Sequence, residues 1–371
     1  LSFISDSYCN SKIQIHQTTK LFRTFARMST LIIGGGLAGI CIAEQLHQQN
    51  ESFKLVQSSS MPSSTAVATG MYNPIVFKRL NLSWMVDALI PELLAFYGQL
   101  EKKLGVNLIE RHGLFKKIRN QAYKDFWNKR LKEEDYTPFM GEIKETFGEV
   151  KNTGTLDCSL LQESYLKLLQ SSNNLIDKEF LLEDLKTESE AIIYNDQAFD
   201  RVIFCEGAFA AENPYFNWLP FKLCKGEWVT IKTEKQITNK VLNNKVNIIP
   251  LGNNEYKLSS TFTWEDLDWE TTTNAVNELL KDFTELFDDS YEVIDQKAAI
   301  RPTVADRRPY LGSHPGDKRI FIFNGLGSKG VMLAPYFSRH LINHIFKGEA
   351  LLPEVDIKRH HKRYYNQDQN T

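Results

Sequence analysis

Three features are scarce in this chain of 371 residues, and each scarcity excludes a class of protein. The five cysteines are an odd number with no CxxC spacing, so the sequence supports neither a disulfide scaffold nor a zinc site. The formal net charge is only −2, whereas a general nucleic-acid binder normally carries a strong basic surplus. No apolar run approaches the roughly 18–20 residues that a membrane-spanning helix requires. With 42% hydrophobic and 24% charged residues, the composition is that of a globular protein of two or three domains.

The cysteines and the first residues bear on where the protein works. Cys41 and Cys205 lie in apolar patterns, and we interpret them as small buried hydrophobic residues. Unpaired cysteines are typical of a reducing compartment, so we expect a cytoplasmic protein. Residues 1–27 are basic and rich in hydroxyl groups, with Asp6 as their one acid. This composition fits a transit peptide, a disordered leader or sequence upstream of a start at Met28, and we expect it to lie outside the fold.

A sharp pattern begins at residue 28. Thr30–Ile33 is a short apolar segment typical of a buried strand, and the sequence GGGLAG follows it at once. Leu37–Gln49 then has apolar residues at the three- and four-residue spacing of an amphipathic helix, and Ser52–Gln57 has the pattern of a second strand. The segment is therefore predicted to form a β-turn-α-β unit.

The glycines of that turn have the spacing of a dinucleotide-binding fingerprint. Gly34 permits the tight turn, Gly36 lets the backbone approach a pyrophosphate, and Gly39 allows the helix to pack closely on the strand. The helix N-terminus adds free N–H donors for the phosphates. An acid normally ends the second strand and binds the ribose hydroxyls, but Gln57 occupies that position here. Glutamine retains hydrogen bonding without the charge that strengthens it.

Later segments divide into two kinds. Leu160–Gln170, Arg201–Cys205 and Arg319–Phe323 continue an α/β pattern, whereas Gly226–Thr233 alternates like a half-buried strand. We therefore predict an α/β protein, with a Rossmann-like domain interrupted by an inserted α+β substrate domain on a mostly antiparallel sheet. The predicted boundaries are 28–80, 150–215 and 300–350 for the first domain, 81–149 and 216–299 for the second, and 351–371 for a polar tail.

Five motifs in order resemble the D-amino-acid oxidase superfamily of FAD-dependent oxidoreductases, which includes glycine and sarcosine oxidases. The first is GGGLAG, and the others are Ser64–Pro74, Val202–Ala208, Ala299–Gly312 and Phe323–Pro335. The resemblance implies bound FAD and oxidation of a C–N bond by hydride transfer to flavin N5. Because no cysteine follows Cys224, the thioether link found in some sarcosine oxidases has no candidate, and we expect the FAD to be bound non-covalently. It implies cofactor contacts at Gly34, Gly36, Leu37, Ala38, Gly39, Gln57, Ala68, Thr69, Gly70, Gly207, Gly325, Gly327, Ser328, Lys329 and Gly330.

The resemblance also implies roles for two cationic residues. Arg301 falls where members of the family place an arginine that binds the substrate carboxylate, and its planar guanidinium suits two oxygens. The alternative is an arginine held in an interdomain ion pair. Lys329 lies in the last glycine loop, where a positive charge would favour the anionic reduced flavin, and the alternative is a lysine facing solvent.

The sequence leaves the substrate and the electron acceptor open. The leading hypothesis is an oxidase or dehydrogenase of a small amine or amino acid, without a metal. The last motif is also similar to the oxidase domain of the bifunctional tRNA wobble-uridine modification enzyme. Action on a carboxymethylaminomethyl-type tRNA nucleotide is therefore the second hypothesis, although the net charge does not favour tRNA. A flavin-binding protein without turnover is the third, suggested by Gln57 and by the atypical Lys257–Trp264.

Overall fold

The computed structural model describes residues 28–367, so the prediction for residues 1–27 lies outside the described residues. The α-helices are Leu37–Gln48 (α1), Ser64–Val67 (α2), Val86–Leu104 (α3), Gln121–Arg130 (α4), Cys158–Ser171 (α5), Thr273–Thr284 (α6), Gly330–Lys347 (α7) and His361–Gln367 (α8). The strands are Met28–Ile33 (β1), Phe53–Val56 (β2), Met71–Tyr72 (β3), Ile75–Val76 (β4), Asn81–Leu82 (β5), Ile109–Arg111 (β6), Leu114–Lys117 (β7), Met140–Lys144 (β8), Phe147–Val150 (β9), Gly154–Leu156 (β10), Leu175–Ile176 (β11), Lys186–Thr187 (β12), Ile192–Tyr194 (β13), Gln197–Phe204 (β14), Cys224–Thr233 (β15), Val241–Asn243 (β16), Asn247–Gly252 (β17), Glu255–Ser259 (β18), Tyr291–Arg301 (β19), Tyr310–Ser313 (β20) and Ile320–Asn324 (β21). Across these residues, no helix combines the length and the apolar character needed to cross a membrane.

The first sheet is largely parallel and contains the predicted β-turn-α-β unit, which is confirmed. Strands β11, β2, β1 and β14 lie side by side and run parallel. Strand β21 then pairs with the end of β14, and β20 closes that side in antiparallel orientation. Ile33 lies opposite both Val56 and Phe204, so three strands end at the same level. Their carboxyl ends therefore form one edge where a ligand can meet three chain segments.

Both faces of this sheet are covered, which explains why its strands are apolar throughout. Ile32 and Leu55 face the core shared with α1, α5 and α7, whereas Leu31 and Val202 face a second core on the opposite side. Successive side chains of a strand point to opposite faces, so a strand buried on both sides needs apolar residues at every position.

The second sheet has the order β19-β15-β18-β17-β16-β7-β9-β8 and is antiparallel except where β16 pairs with β7. Strand β15 lies inside it and is buried on both faces, so the prediction of a half-buried strand is corrected. Val229 and Ile231 pack with α6 on one face. On the other face, Trp228 Nε1 donates a hydrogen bond to the carbonyl of Val67 at 2.6 Å.

Residues 351–360 form a packed segment, whereas the sequence predicted a polar tail from residue 351 onward. Leu351, Val355 and Ile357 are buried, and Leu311 N donates to the carbonyl of Val355 at 2.9 Å. Arg359 donates to backbone carbonyls near Pro309. These apolar residues, spaced between charged ones, attach the end of the chain to the first sheet.

The helix interiors offer a matched pair of glycines for a stability test. A Cβ on Gly39 of α1 would lie 1.8 Å from the carbonyl oxygen of Gly34, whereas a Cβ on Gly98 of α3 would meet nothing within 4 Å. We expect Gly39→Ala to cost about 1–3 kcal/mol, because helix and strand must separate. Gly98→Ala should stabilise by roughly 0.5–1 kcal/mol, because alanine favours the helix. Thermal and urea unfolding measure both, and equal effects would contradict the packing role of Gly39.

Candidate functional site

A cavity of about 630 Å³ lies at the carboxyl edge of the first sheet and extends to the second. Of the residues expected to contact the cofactor, all but Gly39 and Gly325 line it. Gly39 packs beneath the turn, and Gly325 turns the chain between β21 and α7 with φ of +73°. Arg301 lines the same cavity. The structure therefore brings together segments that are almost 300 residues apart in sequence.

The glycine turn forms one end of the cavity. Gly34 has φ of +103°, and a Cβ there would lie 2.5 Å from the carbonyl oxygen of Cys205. Helix α1 begins at Leu37, whose N–H donates to Thr65 Oγ1 at 2.9 Å, and its first turn contains no acidic residue. The N–H groups and positive dipole at the start of a helix whose first turn carries no acid suit a diphosphate. Thr65 was not singled out in the sequence, although it lies in the second motif.

The side-chain amide of Gln57 forms one hydrogen bond to the turn and one to the residue that follows it. Its Oε1 accepts a hydrogen bond from Gly35 N at 2.7 Å, and its Nε2 donates to the carbonyl of Ser58 at 2.7 Å. Gln162 Nε2 adds a bond to the carbonyl of Gly35 at 2.8 Å. Gln57 lines the cavity, but binding a ribose hydroxyl would require its amide to share or exchange one of these bonds.

Glu206 is a buried acid beside the glycine turn that sequence reasoning did not assign a role. Burial raises the pKa of its carboxyl to about 7, and a hydrogen bond from Asn213 Nδ2 at 2.7 Å partly opposes that shift. At neutral pH the carboxyl therefore carries much less than a full charge. A partly neutral group repels a neighbouring diphosphate less than an ionised carboxylate would.

Lys329 lies at the start of α7 and points into the structure. Its Nζ donates a hydrogen bond to the buried Ser83 Oγ, and burial, with a smaller contribution from Arg307, lowers the pKa of the amine to about 8. The side chain thus has a defined partner and lines the cavity. Ser83 could not have been identified from the sequence, because no local pattern connects it with a residue 246 positions away.

Arg301 ends β19 with its guanidinium in the cavity wall. Both Nη atoms donate to the carbonyl of Thr261 at 3.2 Å, and the ring of Phe262 lies 4.6 Å from the guanidinium carbon. Gly226 on β15 makes the space, since a Cβ there would lie 1.7 Å from Nη2. Among residues 28–367 no carboxylate forms a salt bridge with Arg301, so the ion-pair alternative finds no support. Burial lowers the pKa of this guanidinium, and its charge is balanced by neutral groups alone.

The inserted sheet contributes aromatic groups that the sequence analysis missed. Strand β18 ends at Ser259, and the following residues form a loop at the cavity. Trp269 of this loop stacks on Phe209 with ring centroids 5.9 Å apart, and Phe262 covers Arg301. The atypical sequence there corresponds to the loop that closes the cavity.

The residues at the cavity fit a bound flavin dinucleotide. The glycine turn offers backbone donors for a diphosphate, and the cavity volume is within the range of sites for cofactors of this kind. The cavity-lining thiols of Cys158 and Cys205 have pKa values raised by burial, so both stay protonated and poorly nucleophilic. Within the described part of the chain, no three His, Cys, Asp or Glu residues are placed to hold a metal.

Comparison with known families identifies the fold. The sequence profile of the DAO family, described as FAD-dependent oxidoreductases, matches residues 29–343. The chain therefore belongs to this family, and the FAD-binding oxidoreductase implied by the sequence motifs is confirmed.

Individual relatives are distant but cover nearly the whole chain. Glycine oxidase from Geobacillus kaustophilus is 22% identical in an alignment of 347 positions that covers 83% of this chain and 90% of that protein. Its crystal structure covers 89% of this chain and 97% of its own at a TM-score of 0.72 and 20% identity. An iminodiacetate oxidase from a Chelativorans species covers 89% and 98% at a TM-score of 0.70 and 20% identity.

The glycine turn can be tested by its effect on flavin content. A Cβ on Gly36 would lie 3.1 Å from Thr65 Oγ1, so the branched side chain of Gly36→Val must project over the helix N-terminus. We expect this variant to fold but purify without flavin, because a diphosphate needs that backbone surface. The ratio of flavin to protein absorbance measures the loss. Gly98→Val, at an open position, is the control, and retention of flavin by Gly36→Val would contradict the assignment.

Proposed function

We propose that this FAD-dependent oxidoreductase oxidises a C–N bond in a small amino acid, with Arg301 binding the substrate carboxylate. The observation that carries the proposal is a partly buried guanidinium in the cavity wall whose hydrogen-bond partners are neutral. A buried charge is costly without a counter-charge, and an incoming carboxylate would supply one. When bound, FAD supplies the acceptor for the hydride that leaves the carbon next to the amine.

The residues around Arg301 suit a carboxylate clamp. Gly226 leaves the guanidinium room to lie flat against β15, and Thr261 fixes its orientation through its carbonyl. Phe262 covers one face of the guanidinium in a cation–π contact. A fixed planar fork can then donate two parallel hydrogen bonds to one carboxylate, which orients the amine end of the substrate.

We further propose that Lys329 favours flavin reduction. Its ammonium lies at the cavity, held by Ser83, at the N-terminal end of α7. The helix end and the lysine both place positive potential there, and such potential stabilises a ring that gains an electron pair. Ser83 acts as a positioning residue, since it touches the lysine and not the substrate.

The names of the relatives agree with this substrate class, because glycine and iminodiacetate are both small amino acids. The two alternative functions predict different outcomes in one experiment. Anaerobic mixing of the holoenzyme with amines, amino acids and carboxymethylaminomethyl nucleosides should bleach the flavin rapidly with amino acids. Bleaching by the nucleosides alone would favour action on modified tRNA, and no bleaching by any compound would favour a flavin protein without turnover.

We also propose that the predicted boundaries of the inserted domain hold and that the protein is cytoplasmic. The electron acceptor stays open among three candidates. Four cysteines are free and buried in the structure, which is compatible with a reducing compartment: Cys41, Cys158, Cys205 and Cys224. The acceptor (oxygen, a quinone or a protein) is found by following reoxidation of the bleached flavin with each in turn.

Arg301→Ala should lower kcat/KM for amino acids by about tenfold to a hundredfold. Hydrogen bonds to a charged group contribute roughly 1.5–3 kcal/mol, which corresponds to that range. Arg301→Lys should restore only part of the loss, because a point charge does not reproduce the bidentate geometry. Steady-state kinetics with matched substrates measures both effects.

The matched substrates are an amino acid and the amine that remains when its carboxylate is removed. The loss in Arg301→Ala should largely disappear for the amine, which has no carboxylate to bind. If acid and amine suffer equally, Arg301 is structural and the amino-acid proposal is wrong.

Lys329→Met should make the flavin harder to reduce, lowering its midpoint potential on the order of 30 mV or more, which is about 1.4 kcal/mol for two electrons. The pKa of Lys329 is about 8, so the amine is charged at pH 6–7 and loses its charge as the pH rises through 8. The difference from wild type should therefore shrink at pH 9. Lys347→Met, at the exposed far end of α7, is the control. Equal potentials at pH 6–7 would refute the role of Lys329.

A further inference from the structure

A second, smaller cavity lies beside the first and is strongly basic. This side pocket has a volume of about 220 Å³, and its lining includes Phe77, Lys78, Lys116, Arg119, Asn120 and Tyr123. Asn120 caps the N-terminus of α4 by accepting a hydrogen bond from Tyr123 N at 2.9 Å. Neither the sequence motifs nor the proposed reaction gives this pocket a role.

Lys116 places a buried positive charge at the pocket. The residue is 8% exposed, and its Nζ donates to Asn243 Oδ1 at 2.6 Å and to the carbonyl of Asn244 at 2.5 Å. Both acceptors are neutral. Burial, followed by repulsion from Arg119, lowers the pKa of this amine to about 8. Lys116 and Arg119 thus lie close enough to repel each other, and no acidic residue of the chain that the structure describes lines the pocket to neutralise them.

The other charges of the pocket are also unneutralised. Within residues 28–367, none of the lining cations Lys78, Lys116, Lys117 and Arg119 forms a salt bridge. Arg119 Nε donates to Asn244 Oδ1 at 3.0 Å, which leaves its two terminal nitrogens for another acceptor. Glu285 lies within Coulombic range of Arg119, but its carboxylate pairs with Lys245 at 2.5 Å.

The side pocket adjoins the large cavity. Phe77 lines both of them and so forms part of the wall between them. Asn243, which accepts the hydrogen bond from Lys116, lines the large cavity as well. A molecule in the large cavity could therefore extend past Phe77 and bring a terminal group to Lys116 and Arg119.

We propose that the side pocket binds a phosphate-type anion, and that this anion is the distal group of the oxidised amine. A compact dianion suits Lys116 and the free terminal nitrogens of Arg119, because charge-assisted hydrogen bonds to phosphate need both charge and several donors. It would also balance the buried charge of Lys116. The second half of the proposal rests on the proposed function, whereas the anion site itself does not.

Binding of inorganic phosphate tests the anion site without any turnover. Calorimetric titration of the holoenzyme at constant ionic strength should show saturable binding. We expect the affinity to fall at least tenfold in Arg119→Gln and in Lys116→Met, and to change less than twofold in Lys129→Met.

Lys129 is exposed in the last turn of α4, so this control removes the same charge away from the pocket. Arg119 is exposed, so Arg119→Gln keeps the test valid if Lys116→Met fails to fold. Absence of saturable binding, or equal binding by all variants, would overturn the site.

Binding of amino alcohols and their O-phosphorylated forms, with two to six carbons, tests whether the anion belongs to the substrate. The perturbation of the flavin absorbance measures their affinity, and these compounds lack a carboxylate, so the result is independent of Arg301. At one chain length the phosphorylated form should bind at least tenfold tighter than its parent, and Arg119→Gln should abolish that preference.

If no chain length shows a preference while inorganic phosphate binds, the pocket takes a free anion and the substrate half is wrong. Failure of all amines to bleach the flavin would instead refute the proposed function and leave both binding results standing.

Discussion

The level at which three parallel strands end is the constraint on which the rest of this structure depends. Ile33 lies beside both Val56 and Phe204, so the next residue of each strand leaves the sheet at the same edge. Gly34 then passes close to the carbonyl of Cys205, and Gln57 reaches back to Gly35. A shift of one strand by a residue would separate these contacts and reverse the faces of its side chains. The glycine turn therefore exists because the sheet holds its three parts in register.

The second sheet holds the positive charge of Arg301 in the cavity wall. Arg301 ends β19 opposite Cys224, and the neighbouring Gly226 leaves the guanidinium space against the sheet. Removing a charge from water costs several kcal/mol, and neutral carbonyls repay only part of that cost. The pairing of β15 with β19 therefore fixes where this charge lies in the cavity wall.

The sequence predicted the first sheet better than the second, and the reason is physical. The β-turn-α-β unit is local, and its glycine spacing reports the close approaches that Gly34 and Gly39 make in the structure. The strands β7 to β9 are only four or five residues long, and β7 pairs with segments 30 or more residues away, so no local periodicity identifies this part of the sheet. The cofactor-side residues followed from motifs, whereas Ser83 and Phe262 are brought to the cavity by contacts that only the folded chain creates. The roles of Arg301 and Lys329 remain predictions, although both residues line the cavity.

Net charge describes the chain as a whole, but binding depends on where individual charges are placed. The overall charge of −2 argues against a surface that attracts nucleic acid broadly. Yet four of the cations around the cavity and the side pocket form hydrogen bonds only to neutral groups among the described residues; these cations are Arg301, Lys329, Lys116 and Arg119. The acid Glu285, in contrast, pairs with Lys245. Salt largely screens exposed charges that lie more than about 10 Å apart, whereas it screens a buried charge such as that of Lys116 much less. A chain that is almost neutral can therefore concentrate cationic side chains around one cavity and the pocket beside it.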